Sequence, residues 1–181
     1  MNKIPPKSAK VVVIGGGVAG CSVAYHLTEF GWKNVVLLER DQLTSGTTWH
    51  AAGLIGQLGS SATITRLRNY SLNLYKKLER KTGLSTGLKQ NGSLTVATTG
   101  ARLEELKRQL TFAQRFNVEA KEVSKEEIKE IYPLINTKDI VGGVFISQDG
   151  QADPVGVTNV LAKSAKNNGA QFFEKCSVKK I

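Results

Sequence analysis

No apolar run in the sequence approaches the roughly 20 residues that a membrane-crossing helix needs, so the protein is expected to work in water without a membrane partner. The opening Met1-Asn2-Lys3-Ile4-Pro5-Pro6-Lys7 lacks the apolar core of a secretory signal. It also has no arginine, which weakens an import-peptide reading despite Lys3, Lys7 and Lys10. Cysteine is scarce: Cys21 and Cys176 stand alone, in no C-x-x-C pair and beside no histidine cluster, so no metal site is expected. Free thiols fit a reducing compartment, a bacterial cytoplasm or a mitochondrial matrix rather than the outside of a cell. Internal repeats and low-complexity linkers are missing as well.

What is present is ordinary globular material: 181 residues, 40% hydrophobic and 22% charged. Lys and Arg outnumber Asp and Glu by 25 to 15, and the net +10 would attract phosphates of any kind. The basic residues are interleaved with acidic ones, as in Lys76-Lys77-Leu78-Glu79-Arg80-Lys81 and Glu104-Glu105-Leu106-Lys107-Arg108. That pattern belongs to solvated helix faces, and no nucleic-acid partner is expected.

Lys10-Val11-Val12-Val13-Ile14 is a β-branched run of the kind buried on both faces of a parallel sheet. Val18 to Phe30 carries Gly20, Ala24 and Leu27 at helical spacing and ends at Gly31, after which Val35-Val36-Leu37-Leu38 forms a second buried strand. Thr44-Ser45-Gly46-Thr47-Thr48 reads as a loop feeding a helix through Trp49-His50-Ala51-Ala52-Gly53-Leu54-Ile55. Ile64, Leu67, Leu74 and Leu78 mark one face of a longer helix that closes near Gly83.

Leu94 and Val96 alternate in a strand after the Asn91-Gly92 turn, and Leu103, Leu106, Leu110 and Ala113 form a helical stripe. Ser124-Lys125-Glu126-Glu127 is a capping box whose helix Pro133 ends. Val144-Phe145-Ile146 reads as a strand, Asp153-Pro154 as a helix start running to Gly169, and Gln171-Phe172-Phe173 as a last strand.

Gly15-Gly16-Gly17-Val18-Ala19-Gly20 fits G-x-G-x-x-G between an expected buried strand and an expected helix, and that context raises the motif above a chance match. Gly15 permits the tight turn, Gly17 lets a pyrophosphate approach the backbone, and Gly20 lets helix and strand pack closely. Glu39 ends the second strand about 20 residues on, where an acid accepts ribose hydroxyls. A glycine loop with no nucleotide is the plain alternative. The motif by itself does not separate NAD from FAD, because both present the same adenosine diphosphate.

Leu43-Thr44-Ser45-Gly46-Thr47-Thr48-Trp49-His50-Ala51-Ala52-Gly53-Leu54 resembles the flavin-attachment region of dimethylglycine and sarcosine dehydrogenases, within the D-amino-acid-oxidase-like flavoproteins. Gln90-Asn91-Gly92-Ser93-Leu94, Tyr132-Pro133-Leu134-Ile135-Asn136, Asp149-Gly150, Asp153-Pro154 and Gly169-Ala170 follow in the family's order, so the resemblance covers nearly the whole chain. It implies FAD as cofactor, and it implies a covalent bond from a ring nitrogen of His50 to the 8α carbon of the flavin. The plain alternative for His50 is a structural histidine beside a cofactor held without a bond.

Thr47 and Thr48 are, by the same resemblance, contacts to flavin or pyrophosphate, while their simpler role is capping a helix that starts at Trp49. Gly46, Ala51, Ala52, Gly53 and Leu54 belong to the same block, where small residues would let a ring system lie against the backbone. Arg40 matches a position touching the adenosine half, and Val178 one whose backbone holds the adenine. Trp49 is either a ring near the flavin or buried core. Arg66 and Arg68 are read as exposed, Asp153 as a helix cap, and His26 as a surface residue outside any motif.

The resemblance implies an α/β fold: a Rossmann-like FAD-binding βαβ unit and flavin loop over 9–90, part of an interleaved α+β substrate domain over 91–150, and a return helix and strand over 151–181. It implies an enzyme that oxidises the C–N bond of a small N-methylated amino acid such as sarcosine or dimethylglycine by hydride transfer to flavin, with an electron acceptor left open and no catalytic residue assigned. A non-catalytic relative, like the regulatory subunit of pyruvate dehydrogenase phosphatase, shares most of these motifs but lacks the Trp-His pair. The family's flavin and substrate regions continue beyond Ile181, so a fragment is expected, and the activity would then belong to a longer parent.

Overall fold

The computed structural model describes residues 4–180 and divides into two compact units. The first unit comprises residues up to Gly53 together with Asn73–Leu88 and Ala152 onward, and the second comprises Leu54–Leu72 and Lys89–Gln151. The expected boundaries ran the first region through residue 90; the structure instead groups 54–72 with the second unit.

In the first unit, strand β1 (Val11–Ile14) leads through the glycine turn into helix α1 (Val18–Glu29) and then β2 (Val35–Leu38). Both α1 and β2 begin where the sequence predicts. The two strands are parallel, with Val11 paired to Val35 and Ile14 to Leu38. A right-handed βαβ crossover is the ordinary way to join such strands. The expectation that β1 is buried on both faces is corrected: it lies at the edge of its sheet, and Val12 and Ile14 remain 49% and 54% exposed.

The chain returns to this unit through helix α5 (Pro154–Asn167) and strand β8 (Gln171–Phe173), which pairs parallel with β2. Asp153 caps α5 by accepting the Val155 N–H at 3.0 Å, with proline in the first turn. Helix α1 packs against α5, burying Cys21, Ala24 and Tyr25 on one and Val157, Val160, Leu161 and Ala165 on the other. His26 is not a surface residue: it is half-buried, with Nδ1 2.7 Å from the Ser22 carbonyl.

Between β2 and the second unit the expected helix at Trp49 is absent. Thr48–His50 makes a single 3-10 turn, after which Ala51 is extended and Gly53 adopts φ +71°; strand β3 (Leu54–Ile55) follows. Gly53 is fixed there because a Cβ would meet the Ala152 carbonyl oxygen at 2.1 Å, an approach only glycine permits. Helix α2 (Ala62–Thr82) stops before Gly83 as expected; of its expected apolar face Leu74 and Leu78 are buried while Ile64 and Leu67 are exposed, and Thr65 and Leu72 are buried on the other side of the helix.

The second unit is built on the antiparallel sheet β4 (Ser93–Ala97), β6 (Gly142–Ile146) and β5 (Ala120–Val123), in the order β4-β6-β5. Helix α3 (Gly100–Gln114) covers it through Leu106 and Ala113, packed with Val118, Val144 and Ile146. Helix α4 (Lys125–Ile131) opens on the predicted capping box, with Ser124 and Glu127 exchanging both side-chain-to-backbone bonds. A two-residue strand β7 (Gly150–Gln151) pairs with β3.

Candidate functional site

A cleft of about 420 Å³ opens at the carboxyl ends of β1 and β2 in the first unit, lined by the turn Gly15–Gly17, by Glu39, Arg40 and Asp41, by Gly46 to Thr48, and by Val178 with its neighbours. This is where ligands bind in doubly wound sheets. Its floor is backbone. Gly15 has φ +106° and donates to the Leu38 carbonyl at 2.9 Å, which turns the chain sharply after β1. Gly20 sits on the first turn of α1, where a Cβ would lie 2.0 Å from the Gly15 oxygen; without one the helix closes onto the turn. Val18, Ala19 and Gly20 form the first turn of α1 directly after the glycine turn, with no acidic residue in it to oppose an anion.

Glu39 lines the same cleft, and its carboxylate is fixed by backbone on both oxygens. Oε2 accepts the Gly16 N–H at 2.6 Å and Oε1 the Asp41 N–H at 2.8 Å. The Glu39 main chain also accepts from Cys176 at 2.8 Å, which carries Cys176, Ser177 and Val178 to the cleft wall. Arg40 is exposed and pairs with Asp41 at 3.7 Å. Beneath the loop, Cys21 approaches the Gly16 carbonyl at 3.7 Å, and burial pushes its thiol up to about 12. The thiol stays neutral at ordinary pH and puts no negative charge under the helix start.

The segment after Asp41 folds over the loop. Thr44 donates its N–H to the Gly16 carbonyl at 3.1 Å, and Thr48 Oγ1 accepts the Val18 N–H at 3.0 Å. Thr48 therefore caps α1, not a helix at Trp49, while Thr47 makes no capping bond of its own. Trp49 and His50 lie on the 3-10 turn, both exposed, with ring centroids 3.8 Å apart and planes tilted by 32°. Trp49 is 57% exposed and is not core. Ala51 and Gly53 continue from the turn in the first unit, while Leu54, 80% exposed, belongs to the second.

The structure therefore gathers Gly15, Gly17, Glu39, Arg40, Gly46, Thr47, Thr48 and Val178 around one cleft, whereas Val18, Ala19, Gly20, Trp49, His50, Ala51, Gly53 and Leu54 are not among the residues that line it. Sequence reasoning missed Asp41, Ser45, Cys176 and Ser177, whose only signal was adjacency to residues it had named. Arg66 lies over the Phe116 ring, 5.9 Å from its centroid, and Arg68 donates to the Leu58 carbonyl. Arg68 lines a second cleft, of about 460 Å³ within the second unit, together with the buried Asp149. Among the described residues no group of three His, Cys, Asp or Glu is placed to hold a metal.

A parallel βαβ unit with a glycine turn, a helix N-terminus and a fixed acid at the second strand's end defines a dinucleotide-type fold. Residues 10–181 match the family described as DAO, FAD dependent oxidoreductase, and the chain belongs to that family. It is 44% identical to human mitochondrial sarcosine dehydrogenase, over 96% of this chain and 19% of that protein. With human mitochondrial dimethylglycine dehydrogenase it shares 41% identity over 90% of this chain and 19% of the relative. With the mouse pyruvate dehydrogenase phosphatase regulatory subunit the figure is 37%, over 96% and 20%. The crystal structure of L-proline dehydrogenase from P. horikoshii superposes with a TM-score of 0.88 at 32% identity, covering 96% of this chain and 46% of that one. The chain spans about a fifth of the length of these curated relatives.

Proposed function

We propose that this chain forms the adenosine-diphosphate half of an FAD site in an amine oxidoreductase that acts on a small N-methylated amino acid of the sarcosine or dimethylglycine kind. The observation that carries the reading is the cleft in which the Gly15–Gly17 turn that leads into α1 and the backbone-held Glu39 carboxylate meet. The residues fit the group: the loop is bare of Cβ atoms where a pyrophosphate would press, and the acid is aimed before any ribose arrives. In this reading the amides of Gly17 and Ala19 hold the pyrophosphate, Glu39 takes the ribose hydroxyls, Arg40 flanks them, and the Val178 backbone meets the adenine.

FAD, when bound, would supply the acceptor for a hydride from the carbon beside the amine nitrogen. The residue proposed to tether the flavin is His50, whose exposed imidazole stands on the 3-10 turn beside Trp49. The Trp49-His50 pair also favours the enzyme over a non-catalytic reading, which the 37% identity to a phosphatase regulatory subunit would otherwise support. Purified protein run on a denaturing gel and viewed under ultraviolet light tests the tether. A fluorescent band that His50→Ala abolishes is expected; FAD that leaves completely on denaturation would refute the covalent bond, and stoichiometric NAD in place of FAD would refute the cofactor.

A further inference from the structure

Thr48 is 7% exposed, and its hydroxyl is spent on the helix below it rather than on its own turn. Its oxygen accepts the N–H of Val18, the first residue of α1, from 30 positions away in sequence. Helix starts are normally capped by the residue just before them, yet Gly17 has no side chain to do so and makes no capping bond. At Gly17 an added Cβ would lie 3.0 Å from Thr48 Oγ1, a tight approach that would press on the capping hydroxyl. The glycine loop and the Trp49-His50 turn are thereby built to fit each other. Two further bonds fix the ends of the same segment, Thr44 N–H to the Gly16 carbonyl at 3.1 Å and Ala152 N–H to the Gly53 carbonyl at 2.8 Å.

We infer that Thr48 is a positioning residue, a remote N-cap that locks the turn carrying His50 onto the helix start at the cleft, so that the anion site and the tether site form as one rigid piece. This rests on the FAD reading above for its consequence, but not for its geometry. A hydroxyl suits the task because it accepts from Val18 while keeping its own proton to donate toward an anion in the cleft, which valine of the same shape does not offer. The amide of Val18 would otherwise be a helix-end donor without a protein partner.

Thr48→Val and Thr48→Ser separate the hydroxyl from the methyl. In ligand-free protein the Val18 amide should exchange with solvent markedly faster in Thr48→Val than in the wild type, and at the wild-type rate in Thr48→Ser. FAD affinity should fall by about five- to tenfold in Thr48→Val, with the fluorescent fraction on a denaturing gel reduced, and Thr48→Ser should restore both. Unchanged Val18 exchange in Thr48→Val, or Thr48→Ser behaving like Thr48→Val, would overturn the inference. If the wild type binds no FAD, the functional reading fails while the exchange comparison still decides the cap. Should Thr48→Val fold poorly, Thr48→Ser alone remains decisive, because a methyl-packing role predicts loss and a capping role predicts retention.

Discussion

The two units solve the same problem, holding polar groups at a cleft, by opposite means. In the first, main chain does the work: glycine conformations shape the turn that lines the cleft, and even the Glu39 side chain is aimed by backbone donors. In the second, one buried side chain organises the backbone. Asp149 is 4% exposed, accepts the Gln57 N–H at 2.8 Å through Oδ1 and the Ser93 hydroxyl at 2.7 Å through Oδ2, and so joins three segments distant in sequence. The first design is sensitive to any added atom, the second to loss of one charge.

That contrast is broken most directly at Gly20. Gly20→Val should be the most damaging single change, because its Cβ meets a carbonyl oxygen at 2.0 Å that cannot withdraw without opening the turn. A loss of at least about 3 kcal/mol in a urea melt, with no FAD retained, is expected; near-wild-type stability would show that the loop is not built around missing Cβ atoms. Asp149→Ala should follow, at about 2–3 kcal/mol, since it strands a buried amide and a hydroxyl. A change under about 0.5 kcal/mol would mean that Asp149 organises nothing.

Smaller effects sharpen the picture of the first unit. Burial raises the Cys21 thiol to about 12, above its ordinary 9.0, so its contribution is fully present below pH 9 and declines as pH rises toward 12, where the unfolded thiol ionises and the folded one does not. Stability measured across that alkaline window should fall less steeply in Cys21→Ala than in the wild type; parallel curves would contradict the burial. The smallest effect belongs to Glu29. Burial raises its carboxyl, but the hydrogen bond from Lys77, with Lys81 and Asn168, outweighs that and holds it below the ordinary range. Its stabilisation is therefore present above the unfolded value and lost as pH falls through the folded one. Glu29→Gln should cost no more than about 0.5 kcal/mol near neutrality, fading in high salt.

Features carried by local chemistry were legible in the sequence. The β-branched run at 11–14, the apolar run at 35–38, the Ser124 capping box and the Asp153-Pro154 helix start each fix their own backbone, and each stands within a residue or two of where it was expected. Features that depend on distant partners were not. Strands β3 and β7 are two residues each and exist by pairing with one another, and β5, Ala-Lys-Glu-Val, is too polar to announce a strand. The apolar stretch through Trp49 looks helical until Gly53 is pinned by Ala152. At the site, G-x-G-x-x-G and Glu39 could be read directly, because spacing along one βαβ unit determines their geometry. The capping of Val18 by Thr48 could not, since nothing in a stretch of sequence tells which helix a threonine 30 residues away will serve.

The central claim is that the Gly15–Val178 cleft holds the adenosine diphosphate portion of FAD. Titration of the purified chain with FAD, followed by displacement with ADP, tests it most directly. One FAD per chain, released by ADP and lost in Gly20→Val, is the expected result. No saturable FAD binding, or FAD binding that ADP does not displace, would contradict it.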